Sequence, residues 1–351
     1  MIRVLVADDS ATARALIVAL LSAEADIVVV GEARNGREAV DMAERLTPNV
    51  VTMDIQMPVM DGFQATQELM TRTPTPIIIV SSSARMDDVE LSLEATRAGA
   101  LLVLPKPEGP SITSSAADQR YLVNMVRAMA SVKVVRRHTA GSSRDVRRTP
   151  AQGVSRVRAG SAPRIVAIGA STGGPAALQA IFADLPRSFP LPILVVQHIS
   201  PGFTGGLVHW LGGGTRMDVR VATFGETPVP GTIYVAPDDR HLGLRLADDH
   251  SLRLLLDASP PVGSFRPSAS FLFRSVTDAL GAAALSVILT GMGDDGVVGL
   301  RRAYAAGGHV IAQDEASSVI WGMPREAVRA GVTTETLPLS EIAGHLRELA
   351  S

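Results

Sequence analysis

Cysteine is absent from the 351 residues of the chain, which excludes disulfides, thiolate metal sites and a cysteine nucleophile. This absence is typical of proteins from a reducing compartment, so we expect a cytoplasmic location. No run of about 18 or more apolar residues is present, and the N-terminus begins with a strand pattern rather than a signal peptide. The formal net charge is −2, which gives no overall attraction to nucleic acid or to a membrane surface. We therefore expect neither membrane insertion nor a nucleic-acid partner.

The length of the chain predicts two domains, since a typical domain has about 100–200 residues. We predict a first domain over residues 1–128, a linker over 129–161 and a second domain over 162–351. In the first domain, amphipathic stretches separate five short apolar runs, which are Val4–Ala7, Ile27–Gly31, Val50–Met53, Ile77–Val80 and Leu101–Leu104. This alternation predicts an α/β fold with a doubly wound, five-stranded parallel sheet.

The linker is rich in arginine, which lies among serine, glycine, threonine and proline, and it lacks apolar periodicity. We interpret it as a flexible basic spacer, with a docking arm for an acidic partner as the alternative. The second domain is predicted to be a doubly wound, mostly parallel α/β sheet, with strands at Ile165–Ile168, Ile193–Gln197, Ala284–Leu289 and His309–Ala312. The runs Ile233–Ala236, Leu242–Leu246 and Leu252–Leu256 indicate a local antiparallel meander, with residues 248–250 as a hairpin turn.

Polar residues follow four of the apolar runs in the first domain, namely Asp8, Asp9, Asp54, Ser81 and Lys106. The carboxyl ends of parallel strands meet at one edge of a sheet, so we expect these side chains to lie together. Grouped carboxylates bind Mg²⁺, and one carboxylate can attack a phosphoryl donor. An ammonium and a hydroxyl can then contact the phosphoryl oxygens. Helix capping would explain Asp8 or Asp9 alone, but not all five positions.

This half resembles the receiver domain of bacterial response regulators, which has a flavodoxin-like fold. The matching segments are Val6–Ser10, Met53–Gly62, Val80–Ser82 and Leu104–Pro107. The resemblance implies that Asp54 is the phosphoacceptor and that a CheA-type histidine kinase is the phosphodonor. It also implies that Asp8, Asp9, Asp54 and the Gln56 carbonyl hold Mg²⁺ and that Ser81 and Lys106 contact the phosphoryl group. Val103 occupies a position that is usually aromatic in receivers, which puts an aromatic rotamer switch in doubt.

The second domain carries a glycine-rich turn, Gly169–Pro175, between a predicted strand and a predicted helix. On such a turn Ser171 would expose its hydroxyl as a nucleophile, beside N–H groups suited to an oxyanion. The same loop is equally suited to cradling a phosphate. His198 ends the next strand, which favours the nucleophile, and Asp294 or Asp295 offers an orienting carboxylate. The order Ser, His, Asp differs from that of ordinary α/β-hydrolases.

This domain resembles the catalytic domain of the CheB family of chemotaxis protein-glutamate methylesterases. The matching segments are Ile168–Pro175, Gln197–Ile199, Leu289–Gly296 and Gly322–Ala327. The resemblance implies Ser171 as nucleophile, His198 as general base and acid, and Asp295 as the orienting carboxylate. It also implies an oxyanion hole formed by the backbone N–H groups of Thr172 and Met292. His241 is a second histidine candidate in a supporting role, and Ser270 replaces a carboxylate that is usual in the family.

The two resemblances together imply a methylesterase that is activated by phosphorylation. It would hydrolyse glutamate γ-methyl esters on chemoreceptors, release methanol and also deamidate receptor glutamines. Mg²⁺ would serve only the receiver, and ester hydrolysis would need no cofactor. The unphosphorylated receiver would cover the catalytic cleft. Three alternatives remain. The first is a response regulator whose second domain only binds a partner. The second is a nucleotide- or phosphate-binding output domain, although the acid expected about 20 residues after the loop is lacking. The third is a CheB-like enzyme with the same chemistry that serves a non-flagellar signalling array.

Overall fold

The computed structural model of the protein describes residues 1–81, 102–107, 116–130, 162–199 and 201–351. The predicted linker lies outside the described residues except for Met129 and Ala130, and so do Leu101 and Ser82. Two separate parallel sheets are present, one in each predicted domain. Among the described residues, no helix is long and apolar enough to cross a membrane.

The first sheet has the strand order β2-β1-β3-β4-β5, and all neighbours are parallel. Its strands are β1 (Ile2–Ala7), β2 (Ile27–Ala33), β3 (Val50–Met53), β4 (Ile77–Ser81) and β5 (Leu102–Pro105). The described helices around it are α1 (Ala11–Ser22), α2 (Gly36–Leu46), α3 (Gly62–Arg72) and α4 (Ala116–Ala130). This arrangement confirms the predicted five-stranded, doubly wound sheet.

Short polar side chains fix where the first helices begin. The Ala13 N–H donates to the Ser10 hydroxyl, and Asp61 accepts from the Gln64 N–H in the same way. Asn35 accepts from the Glu38 N–H, while the Glu38 carboxylate reaches back to the N–H of the residue before Asn35. These contacts satisfy backbone donors that have no partner within the helix. The starts of α1, α2 and α3 are therefore set by the capping residues Ser10, Asn35 and Asp61.

The second sheet has the order β14-β13-β12-β6-β7-β9-β8, with parallel neighbours throughout. Its strands are β6 (Ile165–Ala170), β7 (Ile193–Gln197), β8 (Asp218–Val221), β9 (Thr232–Val235), β12 (Ala284–Ile288), β13 (His309–Gln313) and β14 (Glu335–Leu337). A separate antiparallel pair consists of β10 (His241–Leu246) and β11 (Leu252–Asp257). The predicted mostly parallel α/β sheet with a small antiparallel element is therefore confirmed.

The assignment of Ile233–Ala236 to the antiparallel meander is wrong. These residues form β9 and its end, and β9 pairs in parallel with both β7 and β8. All four residues of β9 are buried, because helices or the β10–β11 pair cover both faces of the sheet there. A fully buried parallel strand is a continuous apolar run, which sequence alone does not distinguish from a strand of a buried hairpin.

Helices cover both faces of the second sheet. The helices are α5 (Gly174–Asp184), α6 (Thr204–Gly214), α7 (Ala269–Leu280), α8 (Val297–Ala305), α9 (Met323–Arg329) and α10 (Leu339–Leu349). Residues of α5, α6 and α10 share one apolar cluster with the sheet, including Phe182, Trp210 and Leu346. Residues of α7, α8 and α9 and of the β10–β11 pair form the cluster on the other face, including Phe273 and Leu300. Burial of these two faces holds the sheet rigid beneath the site.

The connections place β6 at a switch point of the second sheet. From β6 the chain passes to β7 on one side, and it later returns to β12 on the other side of β6. Loops after such neighbouring strands leave in opposite directions and open a crevice at the carboxyl edge. The residues that follow β6, β7 and β12 therefore converge at one place.

Candidate active site and phosphoryl pocket

Ser171 lies on a tight turn directly after β6. The Gly174 N–H donates to the Ser171 carbonyl at 2.8 Å, and Gly173 between them has a φ of 78°. A Cβ on Gly173 would lie 2.6 Å from the Val319 Cβ, so glycine is required for space as well as for conformation. Ala170 and Gln197 are the last paired residues of β6 and β7. Ser171 and His198, which directly follow them, therefore lie side by side at the end of two adjacent strands.

Thr290 connects the Ser171 turn to the loop after β12. Its carbonyl accepts from the Ser171 N–H at 3.0 Å, and its hydroxyl donates to the Thr172 carbonyl at 2.9 Å. The following residue, Gly291, packs so closely that a Cβ there would lie 2.6 Å from the Ser171 Cβ and 2.5 Å from the Met323 sulfur. The two loops are thus held against each other on either side of the serine.

Two backbone N–H groups remain available beside Ser171. Within the described ranges, neither the Thr172 N–H nor the Met292 N–H donates a hydrogen bond to another protein group. The Thr290 contacts fix the loops that carry both groups. Fixed and unpaired donors next to a nucleophile can stabilise a developing oxyanion without reorganising.

His198 contacts Asp295 through a hydrogen bond of 2.9 Å between Nε2 and Oδ2. The backbone N–H of His198 donates to the Ala170 carbonyl, which keeps the residue at the sheet edge. The imidazole stacks on the ring of Phe265, with ring centroids 4.0 Å apart and an interplanar angle of 1°. Its Nδ1 is buried and has no hydrogen-bond partner in the described part of the chain. The neighbouring Asp294 is exposed, so the buried Asp295 is the carboxylate that reaches the imidazole.

The Asp295 carboxylate is surrounded by donors at the start of α7. It accepts from the Ser268 hydroxyl at 2.8 Å and from the backbone N–H groups of Ala269 at 2.7 Å, Ser270 at 3.0 Å and Gly296 at 2.8 Å. Burial alone would raise the pKa of Asp295, but His198 and these donors outweigh burial and lower the pKa to about 2. Asp295 is therefore ionised at neutral pH and holds the imidazole in one orientation.

The sequence indicated neither Phe265 nor Ser268 as part of this site. Ser268 carries a detectable signal, because a serine before the apolar residues of α7 is typical of a helix N-cap. The sequence carries no signal for Phe265, because a single aromatic residue in a loop belongs to no helical or strand pattern that would indicate its position. The Ser270 N–H donates to the Asp295 carboxylate, and the Ser270 hydroxyl accepts from the Gly296 N–H. His241 is fully buried and accepts from the Ser268 N–H, which gives it the expected supporting place.

The phosphoryl pocket lies at the carboxyl edge of the first sheet. Lys106 Nζ donates to Asp54 Oδ2 at 2.7 Å and lies 3.0 Å from Asp8 Oδ2. Asp54 also accepts from the Ile55 N–H at 2.8 Å. Burial raises the pKa of Asp54 to about 6, with the nearby Asp8 charge adding to the rise and Lys106 opposing it. The structure thus brings together Asp54, Asp8 and the predicted lysine.

The acidic residues of this pocket fit a Mg²⁺ ion. Asp8, Asp9 and Asp54 each offer a carboxylate oxygen, and these oxygens lie within 4.8 Å of one another. Asp8 Oδ2 is buried, and the partner that the structure gives it is the Lys106 ammonium at 3.0 Å. A buried oxygen of this kind, next to two further carboxylates, is the hard donor set that Mg²⁺ prefers. Ser81 lies buried at the end of β4, and its carbonyl accepts from the Lys106 N–H at 2.8 Å.

Sequence profiles, relatives and a solved structure all match the two domains of this chain. The sequence profile described as CheB methylesterase matches residues 166–346, and that of the response regulator receiver domain matches residues 4–117. A protein-glutamate methylesterase/protein-glutamine glutaminase of Myxococcus xanthus is 50% identical, over 98% of this chain and 96% of the relative. A protein of the same name from Anaeromyxobacter dehalogenans is 47% identical, over 99% and 98%. The crystal structure of the Thermotoga maritima CheB methylesterase catalytic domain is 40% identical, with a TM-score of 0.52 over 53% of this chain and 98% of that domain.

Proposed function

The chain belongs to the CheB methylesterase family, and from this we propose that it hydrolyses glutamate γ-methyl esters on the cytoplasmic helices of chemoreceptors. The observation that carries the proposal is the hydrogen-bonded pair of His198 and Asp295, which follows β7 and β12 on either side of the Ser171 turn. The receiver at the N-terminus makes the chain a response regulator as well. The enzyme would therefore act in receptor adaptation, in the cytoplasm.

In the first half-reaction, Ser171 Oγ attacks the γ-carbonyl carbon of the methylated glutamate. His198 Nδ1, the ring nitrogen not bonded to Asp295, takes the hydroxyl proton. The carbonyl oxygen becomes an oxyanion, which the Thr172 and Met292 N–H groups stabilise. Collapse of the tetrahedral intermediate breaks the bond to the methoxy oxygen, His198 returns the proton to that oxygen, and methanol leaves.

In the second half-reaction, water attacks the acyl-enzyme and His198 again takes the proton. The bond to Ser171 Oγ then breaks, the proton returns to the serine, and the glutamate side chain is released as a carboxylic acid, which loses its proton to water at neutral pH. A glutamine side chain forms the same kind of tetrahedral intermediate, with ammonia as the leaving group. The same residues thus account for deamidation, the glutaminase activity for which the relatives are also named. No step needs a cofactor.

Asp54 is the proposed phosphoacceptor, with a CheA-type histidine kinase as donor. The Asp54 carboxylate would attack the phosphoryl group, and Lys106 and Ser81 would contact its oxygens. Asp8, Asp9, Asp54 and the Gln56 carbonyl would hold Mg²⁺, which would neutralise the acidic pocket and so favour the approach of a phosphoryl group.

Phosphorylation would control the esterase through contact between the domains. Ile320 accepts from the Gly291 N–H and donates to the Thr290 hydroxyl, so it belongs to the loop system beside Ser171. The same residue packs against the receiver cluster that includes Ile17 and Met129. We propose a two-state equilibrium in which this contact restricts the cleft and phosphorylated Asp54 favours the open state.

The direct test is methanol release from a methylated chemoreceptor. We expect release with the wild-type chain and loss of at least about 10³-fold with Ser171→Ala, since removal of the nucleophile leaves only binding and the oxyanion hole. The matched control is Ser188→Ala, an exposed serine of the same domain, which should keep wild-type activity. Equal release by Ser171→Ala and the control would contradict the proposed nucleophile.

A further inference from the structure

Three metal-binding side chains meet at the edge of the second sheet that is opposite to Ser171. His309 begins β13, Glu335 begins β14, and His345 lies in α10. Since β13 and β14 are parallel to β6, their first residues lie at the amino edge, whereas Ser171 follows the carboxyl end of β6. The cluster is therefore separate from the catalytic residues and from the phosphoryl pocket.

The ligand atoms of the cluster are close to one another. His309 Nε2 lies 3.0 Å from Glu335 Oε1, and His345 Nε2 lies 3.1 Å from Glu335 Oε2. One ligand atom from each of the three residues lies within 4.8 Å of the others. His309 Nε2 is buried, and its contact with Glu335 Oε1 at 3.0 Å does not have the geometry of a well-formed hydrogen bond. This buried nitrogen thus faces a carboxylate, and both groups are of the kind that binds zinc.

The spacing suits a small divalent ion. Zinc ligands at about 2.0–2.2 Å in tetrahedral geometry lie about 3.3–3.6 Å from one another. Glu335 Oε1 lies 3.0 Å from His309 Nε2 and 3.2 Å from His345 Nε2, so these two contacts would need to widen by roughly a few tenths of an ångström around an ion. One nitrogen of each imidazole lies within 4.8 Å of the other. Two imidazoles and one carboxylate favour zinc over magnesium or calcium, which prefer oxygen ligands only.

A second carboxylate, that of Glu348, lies near the other ring nitrogen of His345. His345 Nδ1 lies 3.5 Å from Glu348 Oε2, one turn further along α10. A ligand histidine commonly donates its second ring N–H to a carboxylate, which fixes the ring and makes the ligating nitrogen more basic. We propose that His309, Glu335 and His345 bind one Zn²⁺ ion, with water as the fourth ligand and Glu348 orienting His345.

The bound ion would be structural. It would tie the edge strand β14 and the C-terminal helix α10 to β13, three elements that are adjacent only in the folded domain. An ion bound by the folded state alone stabilises that state in proportion to the logarithm of its concentration. The competing interpretation is a metal-free ion-pair cluster in which Glu335 accepts from two imidazoles.

The test is Zn²⁺ titration of the full-length chain in millimolar Mg²⁺, which occupies the receiver carboxylates. We expect one equivalent of Zn²⁺ to bind and to raise the melting temperature. Co²⁺ as a probe should give the visible absorption bands of a tetrahedral, imidazole-bound ion. His345→Ala and Glu335→Gln should each weaken Zn²⁺ binding by at least about 100-fold, and Glu348→Gln by about 10–100-fold.

The matched control is His250→Asn, which removes an exposed histidine from the β10–β11 turn and should bind Zn²⁺ as the wild type does. Glu335→Gln keeps the shape of the side chain, so it decides the question if His345→Ala fails to fold by circular dichroism. Absence of Zn²⁺ binding by the wild type would overturn the proposal. Equal affinity for the wild type and Glu335→Gln would overturn it too, because the ion would then bind elsewhere.

Discussion

His198 Nε2 lies 2.9 Å from Asp295 Oδ2, so the imidazole is bound to the carboxylate through the nitrogen furthest from its own backbone. Nδ1 is thereby left without a partner among the described residues, and it is the nitrogen to which the proposed mechanism assigns the proton transfer with Ser171. The ring plane is set independently by stacking on Phe265. Orientation by an ionised acid and by an aromatic face leaves the histidine little rotational freedom.

Replacement of the orienting acid should nearly abolish turnover. In Asp295→Asn the amide cannot stabilise the imidazolium and favours the wrong tautomer, so we expect kcat for methanol release to fall by about 10⁴-fold. Asp294→Asn is the matched control, because Asp294 is exposed and adjacent, and it should stay near the wild type. A loss of less than about tenfold in Asp295→Asn would contradict the assigned role.

The absence of a side chain at Gly291 should be essential for activity. In Gly291→Ala the new Cβ would meet the Ser171 Cβ at 2.6 Å, which pushes the nucleophile away from the N–H groups of Thr172 and Met292. We expect kcat to fall by at least about 100-fold, the usual scale for loss of one oxyanion donor. Gly212→Ala serves as control, since a Cβ there meets no atom within 4 Å. Similar kcat values for the two variants would contradict the prediction, because the loop would then accommodate a Cβ at Gly291 without displacing Ser171.

Stacking on Phe265 should affect turnover more than substrate binding. Phe265→Leu keeps an apolar contact but loses the flat face, so we expect kcat to fall by about tenfold with KM little changed. Phe265→Tyr keeps the ring and should restore the rate. If the leucine variant instead raised KM at unchanged kcat, Phe265 would be a substrate contact.

Much of this site followed from the sequence, because Ser171 and His198 directly follow apolar runs that became strands, and Asp295 lies in the loop after a third such strand. Ser171 and His198 were predicted to lie at the carboxyl ends of two strands of one sheet, and β6 and β7 are adjacent. The choice of Asp295 over Asp294 came from family resemblance alone, because both follow β12 at almost the same distance. Phe265 and Ser268 were missed, since their places depend on how a loop folds over the sheet edge.

The sequence misassigned or missed three strands of the second sheet, because its apolar pattern does not show which strands pair with one another. Ile233–Ala236 reads as an isolated apolar run, and only the tertiary structure places β9 between two parallel strands. Two short edge strands, β8 and β14, were not predicted. Neither is fully buried, so neither carries the continuous apolar run typical of the central strands.

The buried Asp54 carboxyl should make stability depend on pH. The pKa of Asp54 rises from 3.8 to about 6 on folding, so between these values the folded state binds more protons than the unfolded state. Stability should therefore fall as pH rises through this window, by at most about 3 kcal/mol. Thermal unfolding without Mg²⁺ should show this slope in the wild type relative to Asp54→Asn, and Mg²⁺ should offset it at pH 7. Parallel pH profiles for the two proteins would contradict the raised pKa.

The most direct test of the whole account is methanol release from a methylated chemoreceptor, measured with and without a small-molecule phosphodonor and Mg²⁺. The account predicts that the phosphodonor accelerates release by the wild type, that Asp54→Ala keeps basal release but loses the acceleration, and that Ser171→Ala releases none under either condition. Acceleration that persists in Asp54→Ala, or wild-type release that is absent under both conditions, would contradict a phosphorylation-controlled esterase.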